Sequence, residues 1–146
     1  MGLDHPNIAR IIDVWQWDKL LFIVMDFFEG GDLYQMLDTR GFFEEYEVYT
    51  LLKQMTSILI YLRDKKVNHR DLNLKNFMLR QKDDLSNIQL VDFGLSKELG
   101  NINTQIAVSG TPYYVAPENL VDYGILQSDI WSLGIIIYVL LSGKES

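Results

Sequence analysis

The sequence predicts an α+β fold, with two apolar strands followed by a mainly helical body that carries a polar loop at its centre. Three observations predict it. Leu20 to Met25 is an unbroken apolar run between Asp18-Lys19 and Asp26. From Val48 to Leu62, apolar residues return every three or four positions. Between these helical residues and the next apolar runs lies the polar stretch His69 to Asn76.

Taken in order, the run from Leu20 to Met25 suits a buried strand, with Val14 to Trp17 as its hairpin partner. Glu29-Gly30-Gly31-Asp32 marks a turn before a short helix through Leu37. Val48, Leu51, Leu52, Met55, Ile58, Leu59 and Leu62 then form one apolar stripe of a long helix. Glu44, Glu45 and Glu47 load its start and Arg63, Lys65 and Lys66 its end, complementing the helix dipole. Phe77 to Leu79 and Ile88 to Val91 read as a small hairpin. Residues 94–112 hold no long period and read as a long loop, the kind that tends to be functional in a compact domain. Ser128 to Ser142 is apolar nearly all round, which predicts a helix buried in a core, Trp131 included.

Composition narrows the function classes. With 13 Lys+Arg against 20 Asp+Glu, the 146-residue chain has a formal charge of -7, which argues against nucleic-acid binding. Hydrophobic residues at 48% and charged residues at 23% are a globular balance rather than a disordered one. Cysteine is absent, so disulfides and thiolate metal sites are excluded together. The first residues lack the pattern of a signal peptide, and Ile130 to Leu141 is too short to span a bilayer. The expectation is an intracellular protein, cytoplasmic or nuclear, without a membrane partner.

Chemistry concentrates in His69-Arg70-Asp71-Leu72-Asn73-Leu74-Lys75-Asn76 and in Asp92-Phe93-Gly94. Asp71 and Asn76 stand on one loop, where an acid that takes a hydroxyl proton and an amide that helps hold Mg²⁺ need to converge. Asp92 closes an apolar strand, where a carboxylate can ligate a metal bridging phosphate oxygens. Either motif alone is weak; in this order and spacing they reinforce each other.

With these motifs the chain resembles a Ser/Thr-type protein kinase domain. His5-Pro6-Asn7-Ile8 resembles the segment leading into the fourth strand of the small lobe. Gly110-Thr111-Pro112-Tyr113-Tyr114-Val115-Ala116-Pro117-Glu118 resembles the end of the activation segment and is nearest in wording to the calcium/calmodulin-regulated group. Asp129-Ile130-Trp131-Ser132-Leu133-Gly134 resembles the helix that anchors the catalytic loop. The resemblance implies a domain in three parts: 1–25 from the small lobe, 26–32 as hinge and 33–146 from the large lobe.

It also implies roles. Met25 falls at the gatekeeper, Asp26 to Phe28 at the hinge that meets adenine, Asp32 at a ribose contact, and Met78 beneath the adenine ring. Asp71 would be the catalytic base and Asn76 and Asp92 the Mg²⁺ ligands, with His69 and Phe93 packed in the internal spine and Asp129 tying down the loop backbone. ATP with Mg²⁺ and a protein carrying a Ser or Thr hydroxyl are the implied partners.

The chain also departs from the pattern. Asn73 stands where Ser/Thr kinases usually carry a Lys that steadies the transferring phosphate, a loss on the order of 3 kcal/mol in the barrier. Leu74 and Lys75 replace the common Pro-Glu pair. The Gly-rich loop, the strand Lys and its helix Glu are not found upstream, and the later large-lobe helices are not found downstream. The family Arg that pairs with Glu118 belongs to that missing part, so Glu118 is expected to lack it. One side of the last helix is expected to be uncovered.

Arg70 could receive an activation-loop phosphate, but Ala107 takes the usual acceptor position, leaving Thr104 and Ser109 as substitutes and Thr111 as structural. The readings that follow are a Ser/Thr kinase domain, or a catalytically dead kinase fragment that binds a partner. A small-molecule phosphotransferase is disfavoured by Ala116-Pro117-Glu118 and Trp131-Ser132-Leu133-Gly134.

Overall fold

The computed structural model describes residues 2–98, 111–117 and 128–144. Strand β1 (Ile11–Trp17) and strand β2 (Leu20–Met25) form an antiparallel hairpin with Trp15 opposite Phe22. Helix α1 (Leu33–Arg40) and helix α2 (Glu45–Asp64) follow, then β3 (Val67–Asn68), β4 (Phe77–Leu79), β5 (Ile88–Leu90) and β6 (Lys97–Glu98), and finally helix α3 (Ser128–Ser142). Among the described residues six strands make three separate antiparallel pairs: β1 with β2, β3 with β6, and β4 with β5.

Helix α2 organises the core. Val48, Leu51, Met55, Ile58 and Leu62 are all buried, as the apolar stripe requires. Burying each contributes about 1.5–3 kcal/mol relative to leaving it exposed. At its start the Glu44 N–H donates to Glu47 Oε2 at 2.9 Å, and Arg40 grips both Glu47 oxygens at 2.8 and 2.9 Å. Burial alone would push the Glu47 carboxyl up, but the hydrogen bonds from Arg40 and the Glu44 backbone, with the Arg40 charge, hold it below its ordinary value.

Several expectations change. Helix α1 runs on past Leu37 to Arg40 and ends at Gly41, whose φ of 89° suits a residue without a side chain. Within residues 94–112, Lys97 and Glu98 form a short strand on β3 rather than plain loop. Strand β2 is not buried: Leu20 and Leu21 are exposed, because among the described residues only β1 pairs with it.

Helix α3 is buried on one face only. Leu133, Ile136, Val139 and Leu140 pack inward, against α2 and the 3-10 turn Pro112–Tyr114, while Ile130, Tyr138 and Leu141 are exposed. Trp131 is likewise 46% exposed and is not a core residue. A helix apolar on all sides exposes whatever its neighbours leave uncovered. Glu118, Thr104, Ala107 and Ser109 lie outside the described residues.

The residues before β1 are stitched to the body. Ala9 N donates to Leu90 O at 2.9 Å and Leu90 N to Asn7 O at 2.8 Å. The Asn7 side chain reaches Gln54 Oε1 and Ile88 O, joining α2 and β5.

Candidate active site

The polar loop between β3 and β4 is held from below by Asp129. This carboxylate, 4% exposed, accepts from His69 N at 2.8 Å and from Arg70 N at 2.9 Å. Burial pushes the Asp129 carboxyl up, and the two backbone donors and the nearby His69 and Arg70 oppose that shift. Arg70 turns through a left-handed φ of 71°, an uncommon conformation for a side-chain-bearing residue. The expectation that Asp129 ties down the loop backbone is met atom by atom.

His69 is fully buried, its Nε2 donating to Val91 O at 3.2 Å and its ring meeting Phe93 edge-on at 4.8 Å. Burial pushes its imidazole below the ordinary value, so it stands neutral in the core as a packing group. This contact joins the loop to the segment that carries Asp92.

The loop closes on itself around Asp71. Asn76 Nδ2 donates to Asp71 O at 2.8 Å and lies 3.5 Å from Asp71 Oδ2. Thr111 donates to Asp71 Oδ1 twice, through its N–H at 2.8 Å and its hydroxyl at 2.7 Å. Thr111 is structural, as expected, but its partner is the candidate base itself. That contact links positions 40 residues apart, so no local pattern could have signalled it.

Asp92 comes next to Asn76 through the backbone, because Val91 N donates to Asn76 O at 2.9 Å. Its own φ is 59°, and Gly94 N donates to its Oδ1 at 3.0 Å. One carboxylate and one amide thus stand on segments that are hydrogen-bonded to each other at the end of β5. No group of three or more His, Cys, Asp or Glu that could hold a metal is found among the described residues. That donor set fits Mg²⁺, which takes one or two protein oxygens and completes its octahedron with phosphates and water.

Beside them opens a mostly apolar cavity of about 730 Å³, lined by Met25, Phe28, Met78 and Asp92 among others. Four residues expected to meet the nucleotide therefore share one space. Asp26 and Asp32 do not line it. Asp26 pairs with Arg80 at 3.3 Å, and Asp32 caps α1 by accepting from Gln35 N at 2.8 Å.

The Gly30-Gly31 turn is fastened to β4 by Gly30 N to Leu79 O at 3.1 Å and Leu79 N to Gly31 O at 2.8 Å. A Cβ on Gly30 would lie 2.5 Å from both Leu79 Cβ and Gln81 O, so only glycine permits this approach. The Gly30-Gly31 pair was visible in the sequence as a turn; its role as a close backbone contact was not.

A family model described as the protein kinase domain matches residues 1–146. The chain belongs to the protein kinase family. Calcium-dependent protein kinase 5 of Plasmodium berghei (strain Anka) is 39% identical to this kinase-family chain over 141 residues, covering 97% of it and 25% of the relative. Calcium-dependent protein kinase 3 of Plasmodium yoelii yoelii is 34% identical over 143 residues, covering 97% and 27%.

The probable serine/threonine-protein kinase fhkE of Dictyostelium discoideum is 37% identical over 150 residues, covering 97% and 21%. This kinase-family chain thus spans about a quarter of the length of these relatives. The sequence pattern lies nearest the calcium/calmodulin-regulated group, and two of these relatives are calcium-dependent kinases by name. No helix among the described residues is long and apolar enough to cross a membrane.

Proposed function

We propose that this chain supplies the catalytic centre of a protein Ser/Thr kinase, which moves the γ-phosphate of ATP to a Ser or Thr hydroxyl of a protein. The observation that carries it is that Asp92 lines an apolar cavity with Met25, Phe28 and Met78, while Val91 beside it bonds Asn76 O and Asn76 in turn bonds Asp71 O. The apolar lining suits a flat aromatic base, with Asp92 as the carboxylate on its wall. Asp71 orients the acceptor hydroxyl and takes its proton as the new oxygen–phosphorus bond forms and the β–γ bridging bond breaks, releasing ADP. Asn76 and Asp92 would hold Mg²⁺, whose charge offsets that of the phosphate oxygens. Asp26 and Asp32, proposed for hinge and ribose contacts, are engaged with Arg80 and as the cap of α1.

Transfer of labelled phosphate from Mg²⁺-ATP to a Ser/Thr protein substrate tests the proposal. Loss of transfer in Asp71→Asn, with nucleotide binding kept, is the expected result. Transfer that survives Asp71→Ala would overturn it. Asp92→Asn is expected to weaken Mg²⁺-ATP binding, and unchanged binding would remove the metal assignment.

Asn73 favours a second reading, in which the chain is a binding module without catalysis. In that case Mg²⁺-ATP binds but no substrate is phosphorylated by the unaltered protein.

A further inference from the structure

Asn73 is buried, 6% exposed, and every polar part of its side chain is engaged. Its Oδ1 accepts from Lys75 N at 2.9 Å, starting the short 3-10 turn Leu74–Asn76. Its Nδ2 donates to Asp71 O at 3.0 Å and to Thr111 Oγ1 at 3.2 Å. A hydroxyl has one proton. Because Thr111 Oγ1 accepts from Asn73, its proton is directed at Asp71 Oδ1, 2.7 Å away. The bonds therefore run in one direction, from amide to hydroxyl to carboxylate, and each polarises the next.

We infer that Asn73 is a positioning residue, which holds Thr111 so that Asp71 Oδ1 is occupied and Oδ2 is left to take the acceptor proton. Among the described residues two donors reach Oδ1, whereas Oδ2 meets only the Asn76 amide at 3.5 Å, so the two oxygens are not equivalent. A lysine at this position could donate to the Thr111 hydroxyl but has no atom to accept from Lys75 N. The amide thus trades a cation toward phosphate for a fixed loop. The consequence for phosphate transfer rests on the proposed kinase function; the clasp itself does not.

The test compares the unaltered chain with Asn73→Ser and Asn73→Lys. Serine can still accept from Lys75 N but cannot donate to both Asp71 O and Thr111; lysine can donate but cannot cap the turn. In Asn73→Ser, amide hydrogen exchange at Thr111 is expected to rise about tenfold, the scale of one to two lost hydrogen bonds, while the core amides of Leu51 and Ile58 stay protected. The kcat for a Ser peptide is expected to fall by about the same factor with its KM changed less than about twofold. Asn73→Lys is expected to restore protection at Thr111.

Unchanged exchange at Thr111 in Asn73→Ser would overturn the inference, as would a uniform rise across the core, which marks general loss of stability. If no protein of the series transfers phosphate yet Thr111 is selectively released, the clasp stands and the catalytic proposal falls.

Discussion

Asp129, His69, Asn73 and Asn76 are polar and buried, whereas Trp17, Leu20, Leu21 and Ile12 are apolar and exposed. The first group surrounds the candidate active site; the second forms the β1–β2 hairpin. Around the site the polar groups hold one another: Asp129 takes two backbone donors, and Asn73 and Asn76 both bond Asp71 O. The hairpin is held instead by its backbone ladder and by a stacked Trp15–Phe22 pair at 4.3 Å. A two-stranded hairpin is marginal by itself in water, so its order depends on the stitching of Asn7 and Ala9 to Leu90. Burial here follows position in the fold rather than the polarity of the side chain.

Asp129→Ala leaves the His69 and Arg70 N–H groups buried without their acceptor, at a cost of about 3–5 kcal/mol by denaturant unfolding. A loss below about 1 kcal/mol would mean that the loop is held elsewhere.

Gly30→Ala comes next, costing about 1–3 kcal/mol because Leu79 and the Gln81 carbonyl must shift. The same substitution is expected to weaken nucleotide binding, since Leu79 neighbours Met78 on β4. Unchanged melting and binding would show that β4 yields at no cost.

Acid sharpens the contrast further. Burial pushes His69 below 6.5, outweighing the upward pulls of Asp129, the Val91 carbonyl, Asp71 and Asp92. The folded chain keeps His69 neutral where the unfolded chain takes a proton. Stability is therefore full above 6.5 and falls as the pH drops below it, by up to about 1.4 kcal/mol per pH unit. Burial pushes Asp129 up from 3.8, which acts in the opposite sense and favours the folded state on acidification. Stability that rises between about pH 7 and about pH 5.5 would mean that Asp129 governs instead of His69.

The smallest effect belongs to the hairpin. Leu20→Thr or Leu21→Thr is expected to change stability by no more than about 0.5 kcal/mol, because neither side chain is packed. A loss above about 2 kcal/mol would show that the hairpin is covered in solution.

Much of the fold was legible because helices and strands announce themselves by period. The stripe of α2 and the hairpin β4–β5 lie as expected. The pairing of Asp71 with Asn76 was legible too, through motif order rather than through any contact. The Thr111–Asp71 bonds, the engagement of Asn73 and the Arg80–Asp26 pair were not, because each joins residues that only folding brings together. The exposure of β2 and Trp131 also ran against composition, since hydropathy records what a side chain prefers and not whether a neighbour is present to cover it.

By itself the sequence determined the element order, the α2 core stripe and the family to which the chain belongs, all of which depend on local period or on motifs in series. Only the tertiary structure decided which polar side chains are satisfied in the interior, which face of α3 is covered, and which oxygen of Asp71 takes the two Thr111 bonds. These depend on contacts between residues distant in the chain, whose geometry is set by packing rather than by local preference.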